Sequence, residues 1–206
     1  MHGKASRRCH TNENCRTWVQ SKAFKILREH LPNDWLDLLN RRAALLTPEI
    51  PPLLSSQVND LRSSLLKYGK QHGLANAFYV IKTLTNGWLT SSRLQEVPVL
   101  PCISGCIDER DDLVHYVSCS PLWTLVGECG VLPHPPARRS SSDRLSLTSP
   151  AFDNLCLCGI ACWLYHALKI GERTRIDDLI DQGDPEGVWT LSRELLVECP
   201  LRVETT

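Results

Sequence analysis

Apolar residues recur at three- and four-residue intervals along most of the chain, the spacing that gathers them on one face of an α-helix. Val19, Ala23, Ile26 and Leu27 set this rhythm within residues 16–30. Asn33 offers an N-cap for a second helix carrying Trp35, Leu38, Leu39 and Leu45. Pro48, Pro51 and Pro52 then break the chain, and Ser55 or Ser56 can cap a third helix with Val58, Leu61 and Leu65 on one face, expected to stop at Gly69. A fourth apolar run, residues 74–84, ends near the turn dipeptide Asn86-Gly87. Residues 98–110 read as a turn-rich loop. Asp111 or Asp112 starts a short helix through Cys119, and Ser120-Pro121 starts another, since proline is tolerated in a first turn. Residues 133–150 are rich in Pro, Ser and Arg and read as a flexible linker. A strong helix from Phe152 to Leu168 follows, closed by Gly171, and Asp184-Pro185-Glu186 opens a last one carrying Val188, Leu191, Leu195 and Leu196. There is no internal repeat, and the β signal is confined to a possible short hairpin near residues 100–110. The expected class is mainly α, divided into an N-terminal helical segment (1–54), a helical region (55–132), the linker (133–150) and a C-terminal helical segment (151–206).

Length changes this picture little: 206 residues and 23.2 kDa make room for one domain or two small ones. No run approaches 18 consecutive apolar residues, so no membrane span is expected. The first thirty residues carry Arg7, Arg8, Arg16, Lys22, Lys25 and Arg28 and no apolar signal core. The expected location is therefore intracellular, nuclear or cytoplasmic, where the ten cysteines act as thiols before they act as disulfides. Charge adds an asymmetry beneath a formal net of zero. Residues 1–100 hold 14 Lys+Arg against 7 Asp+Glu, and residues 101–206 hold 9 against 16. The two halves could dock on each other, the basic half could face phosphates, or both could be solvated helix faces.

The segment richest in chemistry is Pro101-Cys102-Ile103-Ser104-Gly105-Cys106 followed by residues 111–119, with the spacing C-x3-C-x8-H-x3-C. Thiolates and imidazole are the ligands a four-coordinate zinc ion takes. Gly105 lets a tight loop turn the Cys102 and Cys106 sulfurs toward one point. His115 and Cys119, four apart, share one face of a short helix. The expectation is a zinc knuckle over 102–119, with Cys102, Cys106, His115 and Cys119 holding Zn²⁺. Four protein ligands would close the shell, which makes the site structural. Three thiolates around a divalent ion leave a local charge of −1, so any phosphate contact must come from neighbouring groups. The plainer reading is three buried cysteines and a surface histidine sharing this spacing by accident.

Residues 82–93, Lys82-Thr83-Leu84-Thr85-Asn86-Gly87-Trp88-Leu89-Thr90-Ser91-Ser92-Arg93, lead into this segment, and Asp112-Leu113-Val114-His115-Tyr116-Val117-Ser118-Cys119-Ser120-Pro121-Leu122-Trp123 contain its last two ligands. Together they resemble the zinc-binding (CCHC) region behind the polymerase domain of LINE-type (non-LTR) retrotransposon reverse transcriptases. That family has an Asn-x-Trp-x-Thr-Ser-x-x-Arg-like approach, a similar knuckle, and often a later Ala-x-x-x-Tyr-His helix to which Ala161–His166 is similar. The resemblance spans residues 82–123 well and 151–170 faintly.

The resemblance implies a piece of an enzyme detached from its catalytic machinery. Polymerase chemistry needs paired aspartates on a palm hairpin in an aromatic-x-Asp-Asp setting. The adjacent pairs here, Asp111-Asp112 and Asp177-Asp178, lack that flank. No polymerase or nuclease activity and no small-molecule substrate is therefore expected. In the family this region grips template RNA or target DNA, which implies RNA or DNA, and a reverse transcriptase core, as partners. Lys82 and Arg93, with Lys67 and Lys70 nearby, would meet phosphates, while Trp88 would either stack on a base or anchor the core. Cys158, Cys162 and His166, spaced by four, could stack on one helix face as a second metal site, but their apolar neighbours favour buried core residues. Cys9, His10 and Cys15 are a weaker group, and Cys129, Cys156 and Cys199 read as isolated thiols. The expected function is a non-catalytic, zinc-binding, nucleic-acid-binding fragment. The rivals are a zinc-stabilised helical protein–protein interaction module and an inert relic of a decayed element.

Overall fold

Helix Leu74–Leu84 buries Ala77, Val80, Ile81, Thr83 and Leu84, and helix Phe152–His166 buries nearly every side chain it has; the two lie against each other at the centre of the fold. The computed structural model describes residues 34–106, 108–128, 140–147 and 151–200. Among these the elements in chain order are α1 (Asp34–Leu46), α2 (Ser55–His72), α3 (Leu74–Leu84), α4 (Ser91–Leu94), α5 (Leu113–Ser118), α6 (Ser120–Glu128), α7 (Ser141–Arg144), α8 (Phe152–His166) with a wider π-helical turn (Ala167–Gly171), α9 (Arg173–Asp181) and α10 (Pro185–Val197). The chain is mainly helical, as the periodicity predicts. Residues 1–35 group apart from residues 36–206, and everything below concerns the second unit.

The caps follow the chemistry of their residues. Thr90 accepts from the Arg93 amide at the start of α4, Asp112 from the His115 amide (2.7 Å) at the start of α5, and Asp184 from the Gly187 amide (2.9 Å) at the start of α10. At α2 the cap is inverted: Leu54 has no polar side chain, and its amide donates to Gln57 Oε1 instead (2.8 Å). Leu53 is tied to α1 through its amide and the Asn40 carboxamide oxygen (2.6 Å).

Three expectations need correction, and two others fall outside the described residues. Gly69 does not end α2: it is buried within the helix, which runs on to His72, and the stop is Gly73 at φ +93°. A helical φ at an interior glycine costs only about 1 kcal/mol, whereas a positive φ ends the hydrogen-bond ladder. The supposed linker 133–150 contains a folded stretch at Ser140–Leu147, with Arg144, Leu145 and Leu147 buried and α7 seated on α5 and α8. Segments 55–132 and 151–206 are not separate, because α8 fills the groove between α2, α3 and α6. The expected helix at 16–30 and the Asn33 cap lie outside the described residues. Helix α9 is an addition: only Ile176 of its nine residues is buried, too little apolar signal to stand out.

Phe152–Gly171 is the one stretch among the described residues long and apolar enough to cross a membrane by length and composition; 78% of it is buried inside the fold, the position of a core helix. No strand occurs among the described residues. One antiparallel bridge pairs Pro101 with Arg110, and the Cys102 amide donates to the Glu109 carbonyl (2.8 Å). This is the short hairpin expected at the cysteines, and it closes the base of the loop that carries Cys106.

Candidate metal centre

The loop and α5 meet at four side chains. Cys102 and Cys106 lie on the loop, His115 in the second turn of α5, and Cys119 at its end, where its carbonyl also accepts from the Trp123 amide to begin α6. Gly105 sits at φ +80°, a conformation that L side chains resist, and this turns the loop back on itself. The ligand atoms of the four residues all lie within 4.8 Å of one another, an arrangement that could hold a metal ion. A tetrahedral ion bonded to thiolates at about 2.3 Å holds them about 3.8 Å apart. The Cys106–Cys119 and Cys102–Cys119 sulfur separations are 3.6 and 3.9 Å, and His115 Nε2 stands 3.1 Å from the Cys102 sulfur. The donor set and its spacing fit the group.

The surroundings support the same geometry. Glu109 Oε2 lies 3.2 Å from His115 Nδ1, so the carboxylate fixes the ring and leaves Nε2 facing the sulfurs. The Ser104 amide points at the Cys102 sulfur (3.4 Å), and the Ile103 amide donates to the Tyr116 hydroxyl (3.0 Å). The hydrogen bond with Cys119 holds the Cys102 thiol down to about 4, against the opposing effect of burial, with His115 and backbone amides adding to it. Burial works against charge on His115, yet its contacts with Cys102 and Cys106 lift it to about 9. Cys106 is lowered, chiefly through its hydrogen bond with Cys119, and Cys119 is raised by the pressure of its two sulfur neighbours. Three sulfurs this close share negative charge poorly without a cation among them.

Beneath the knuckle lies a buried polar hub that the sequence reading did not include. The Asp111 carboxylate, fully buried, accepts from the Ser91 amide (2.8 Å), the Ser91 hydroxyl (2.6 Å), the Tyr165 hydroxyl (3.0 Å) and Lys169 Nζ (2.5 Å). Lys169, itself buried, also reaches Glu96 (3.3 Å). The π-helical turn carrying Lys169 is thereby tied across α4 to the base of the knuckle. Arg144 makes a second tie: its guanidinium donates to the Val117 carbonyl (3.0 Å) near the end of α5 and lies 5.4 Å from the Trp123 ring.

The proposed nucleic-acid contacts divide. Trp88 is 1% exposed, donates its indole N–H to Thr83 Oγ1 (2.8 Å) and packs at 4.8 Å from the Tyr165 ring, so stacking on a base is excluded and the core-anchor role stands. Arg93 is exposed, with one guanidinium nitrogen on the Trp88 carbonyl (3.2 Å), and Lys82 is half-buried above the Phe78 ring. Cys158 and Cys162 are buried among apolar side chains, where burial raises Cys158 to about 12 and Cys162 still further; with His166 they form no ligand cluster. Cys156 and Cys199 are buried thiols near each other. Cys9, His10, Cys15 and Cys129 lie outside the described residues.

No protein-family model, no curated protein and no solved structure matches the chain.

Proposed function

We propose that this chain is a non-catalytic module in which Zn²⁺, held by Cys102, Cys106, His115 and Cys119, staples a helical fold that binds RNA or DNA, in the manner of the post-polymerase region of a LINE-type reverse transcriptase. The observation that carries the reading is the convergence of three thiols and an imidazole nitrogen within 4.8 Å, with a carboxylate behind the histidine. Three thiolates and an imidazole suit zinc over hard cations such as magnesium or calcium, which prefer oxygen. Bound there, the ion supplies cohesion: structural zinc contributes roughly 10–16 kcal/mol of binding free energy coupled to folding in small modules. Four protein ligands leave no position for a substrate or an activated water.

The residues that carry the family resemblance support it in a specific way. Trp88, Thr90, Ser91, Arg93, Tyr116, Trp123 and Tyr165 are scattered over nearly eighty positions. They form one connected layer beneath the knuckle, each bonded to another of them or to the hub. Nucleic-acid binding is supported by unpaired cations beside this layer.

Metal analysis of purified protein, followed by retention of single-stranded RNA and DNA at two salt concentrations, tests the reading. One equivalent of zinc is expected, with loss of metal and of local fold in Cys102→Ser and His115→Ala. Binding is expected to weaken as salt rises, since phosphate contacts release counterions. Less than half an equivalent of zinc overturns the staple, and no binding at low salt overturns the nucleic-acid role. In the latter case the protein-interaction reading gains, because residues 94–99 expose Leu94, Val97 (95% exposed) and Val99 on one loop.

A further inference from the structure

The cations of the C-terminal half are largely spoken for: Lys169 pairs with Asp111 and Glu96, Arg173 with Asp177, Arg175 with Glu194 and Arg193 with Glu128. Lys82 and Arg93 have no carboxylate partner among the described residues. Lys82 lies over the Phe78 and Tyr79 rings at 5.3 and 5.7 Å, and Arg93 spends one donor on the Trp88 carbonyl, which fixes its guanidinium and leaves its other N–H groups available. Arg93 also lines an open cleft of about 290 Å³ with Arg42, Asn86 and Ser92. The Arg42 Nε in that cleft is buried and has no hydrogen-bond partner. The cleft's one carboxylate, Asp112, accepts from the His115 amide as the α5 cap.

His166 adds a group with no other explanation. It is 8% exposed, both of its ring nitrogens are buried without a partner, and its ring meets Tyr165 edge-on at 5.4 Å. Buried polar groups in native proteins are nearly always paired, so an orphaned imidazole beside unpaired cations marks a missing partner of opposite charge.

We propose that Lys82, Arg93 and Arg42, with His166 behind them, form a binding site for the phosphodiester backbone of a single-stranded nucleic acid. The proposal rests on the nucleic-acid reading above and places it on the molecule. Arg93 is the central contact and offers a bidentate fork to one phosphate. Lys82 and Arg42, on the helices to either side, meet its neighbours. His166 takes no direct part at neutral pH: burial first, and then the fields of Lys82, Arg93 and Lys169, hold it down to about 4. Of the groups facing it, Lys169 is neutralised by Asp111 and Glu96, and Tyr165 is pushed well above its usual range and stays protonated. A phosphate seated on Lys82 and Arg93 cancels the two remaining fields, and the imidazole then gains a proton more easily. Binding should therefore take up protons and tighten as pH falls.

The test uses the full zinc-loaded chain and fluorescence anisotropy with labelled single-stranded RNA and DNA, across salt and from pH about 7.5 to about 5.5. Lys82→Gln and Arg93→Gln should each weaken binding roughly tenfold and lower the salt slope by about one. Arg93→Lys, which keeps the charge, should recover most of the affinity. His166→Phe should leave affinity at neutral pH near that of the parent and abolish the tightening at low pH. Circular dichroism and zinc content identify any variant that fails to fold, and Lys82→Gln, at a half-exposed position, provides the independent arm. If the parent binds oligonucleotide while both glutamine variants bind equally well, this site is wrong and the broader reading survives. If the parent binds none at low salt, both fail. Displacement of the oligonucleotide by an acidic polypeptide at equal charge concentration would also overturn the proposal, by showing a site for acidic protein.

Discussion

Replacing Lys169 by methionine removes the one full positive charge bonded to Asp111 while keeping the length of the buried side chain. Asp111 then keeps three neutral donors, the Ser91 amide, the Ser91 hydroxyl and the Tyr165 hydroxyl, in a position with no solvent exposure. Breaking a buried pair by removing one partner costs about 3–5 kcal/mol, and the surviving donors place this case near the lower end, about 3 kcal/mol. For a chain of this size that is a fall of roughly 6–12 °C in melting temperature. Urea unfolding followed by tryptophan emission would measure it, because Trp88 and Trp123 are both buried in this layer. The pH dependence gives a second reading. Burial pushes the Asp111 carboxyl up, but Lys169 and Ser91 outweigh it and hold the folded value below the usual one. That contribution is present above the unfolded carboxyl value of about 4 and is lost as pH falls through the lower folded value. Lys169→Met should therefore shift acid unfolding to higher pH, and adding Asp111→Asn should cost less than the two changes summed. A loss below about 1 kcal/mol for Lys169→Met would refute the view of Asp111 as the pin between knuckle and core.

Gly105→Ala should be costly although its new methyl meets only Pro185 at 3.5 Å, because φ +80° strains any L residue by about 1–2 kcal/mol. Chelator competition should show metal affinity reduced about 5- to 30-fold. Arg144→Ala should destabilise the fold by about 1–3 kcal/mol, by removing a donor from the buried Val117 carbonyl and a cation from the Trp123 face, measured by thermal melting.

The knuckle was legible because its ligands are close in sequence: Cys102 and Cys119 are 17 positions apart, and one loop and one helix set the geometry. The helices with regular apolar faces, α2, α3, α8 and α10, were legible for the same local reason. The hub was not. Asp111 and Lys169 are 58 positions apart, and nothing near either residue announces the pairing. Ser91 and Tyr165 were visible as parts of recognisable motifs, but a motif does not say which side chain it bonds. Arg144 was hidden by its Ser- and Pro-rich surroundings, whose composition suggests a solvated strand of chain; three buried side chains across Arg144–Leu147 outweigh that composition. Trp88 was ambiguous in sequence because an indole serves equally well as a core anchor or a stacking surface, and only its depth decides.

The aromatic rings beneath the knuckle run as an unbroken file. His115 meets Tyr116 at 5.5 Å, Tyr116 meets Trp88 at 5.5 Å and Tyr165 at 5.0 Å, and Tyr165 meets His166 at 5.4 Å. The first ring belongs to the metal centre and the last stands behind the unpaired cations. Trp88 sits midway, so its emission is a native gauge of events at either end, with no attached dye. Filling the four-ligand nest and seating a strand on the opposite flank should each move that signal, and titrating one in the presence of the other would reveal whether the two ends communicate.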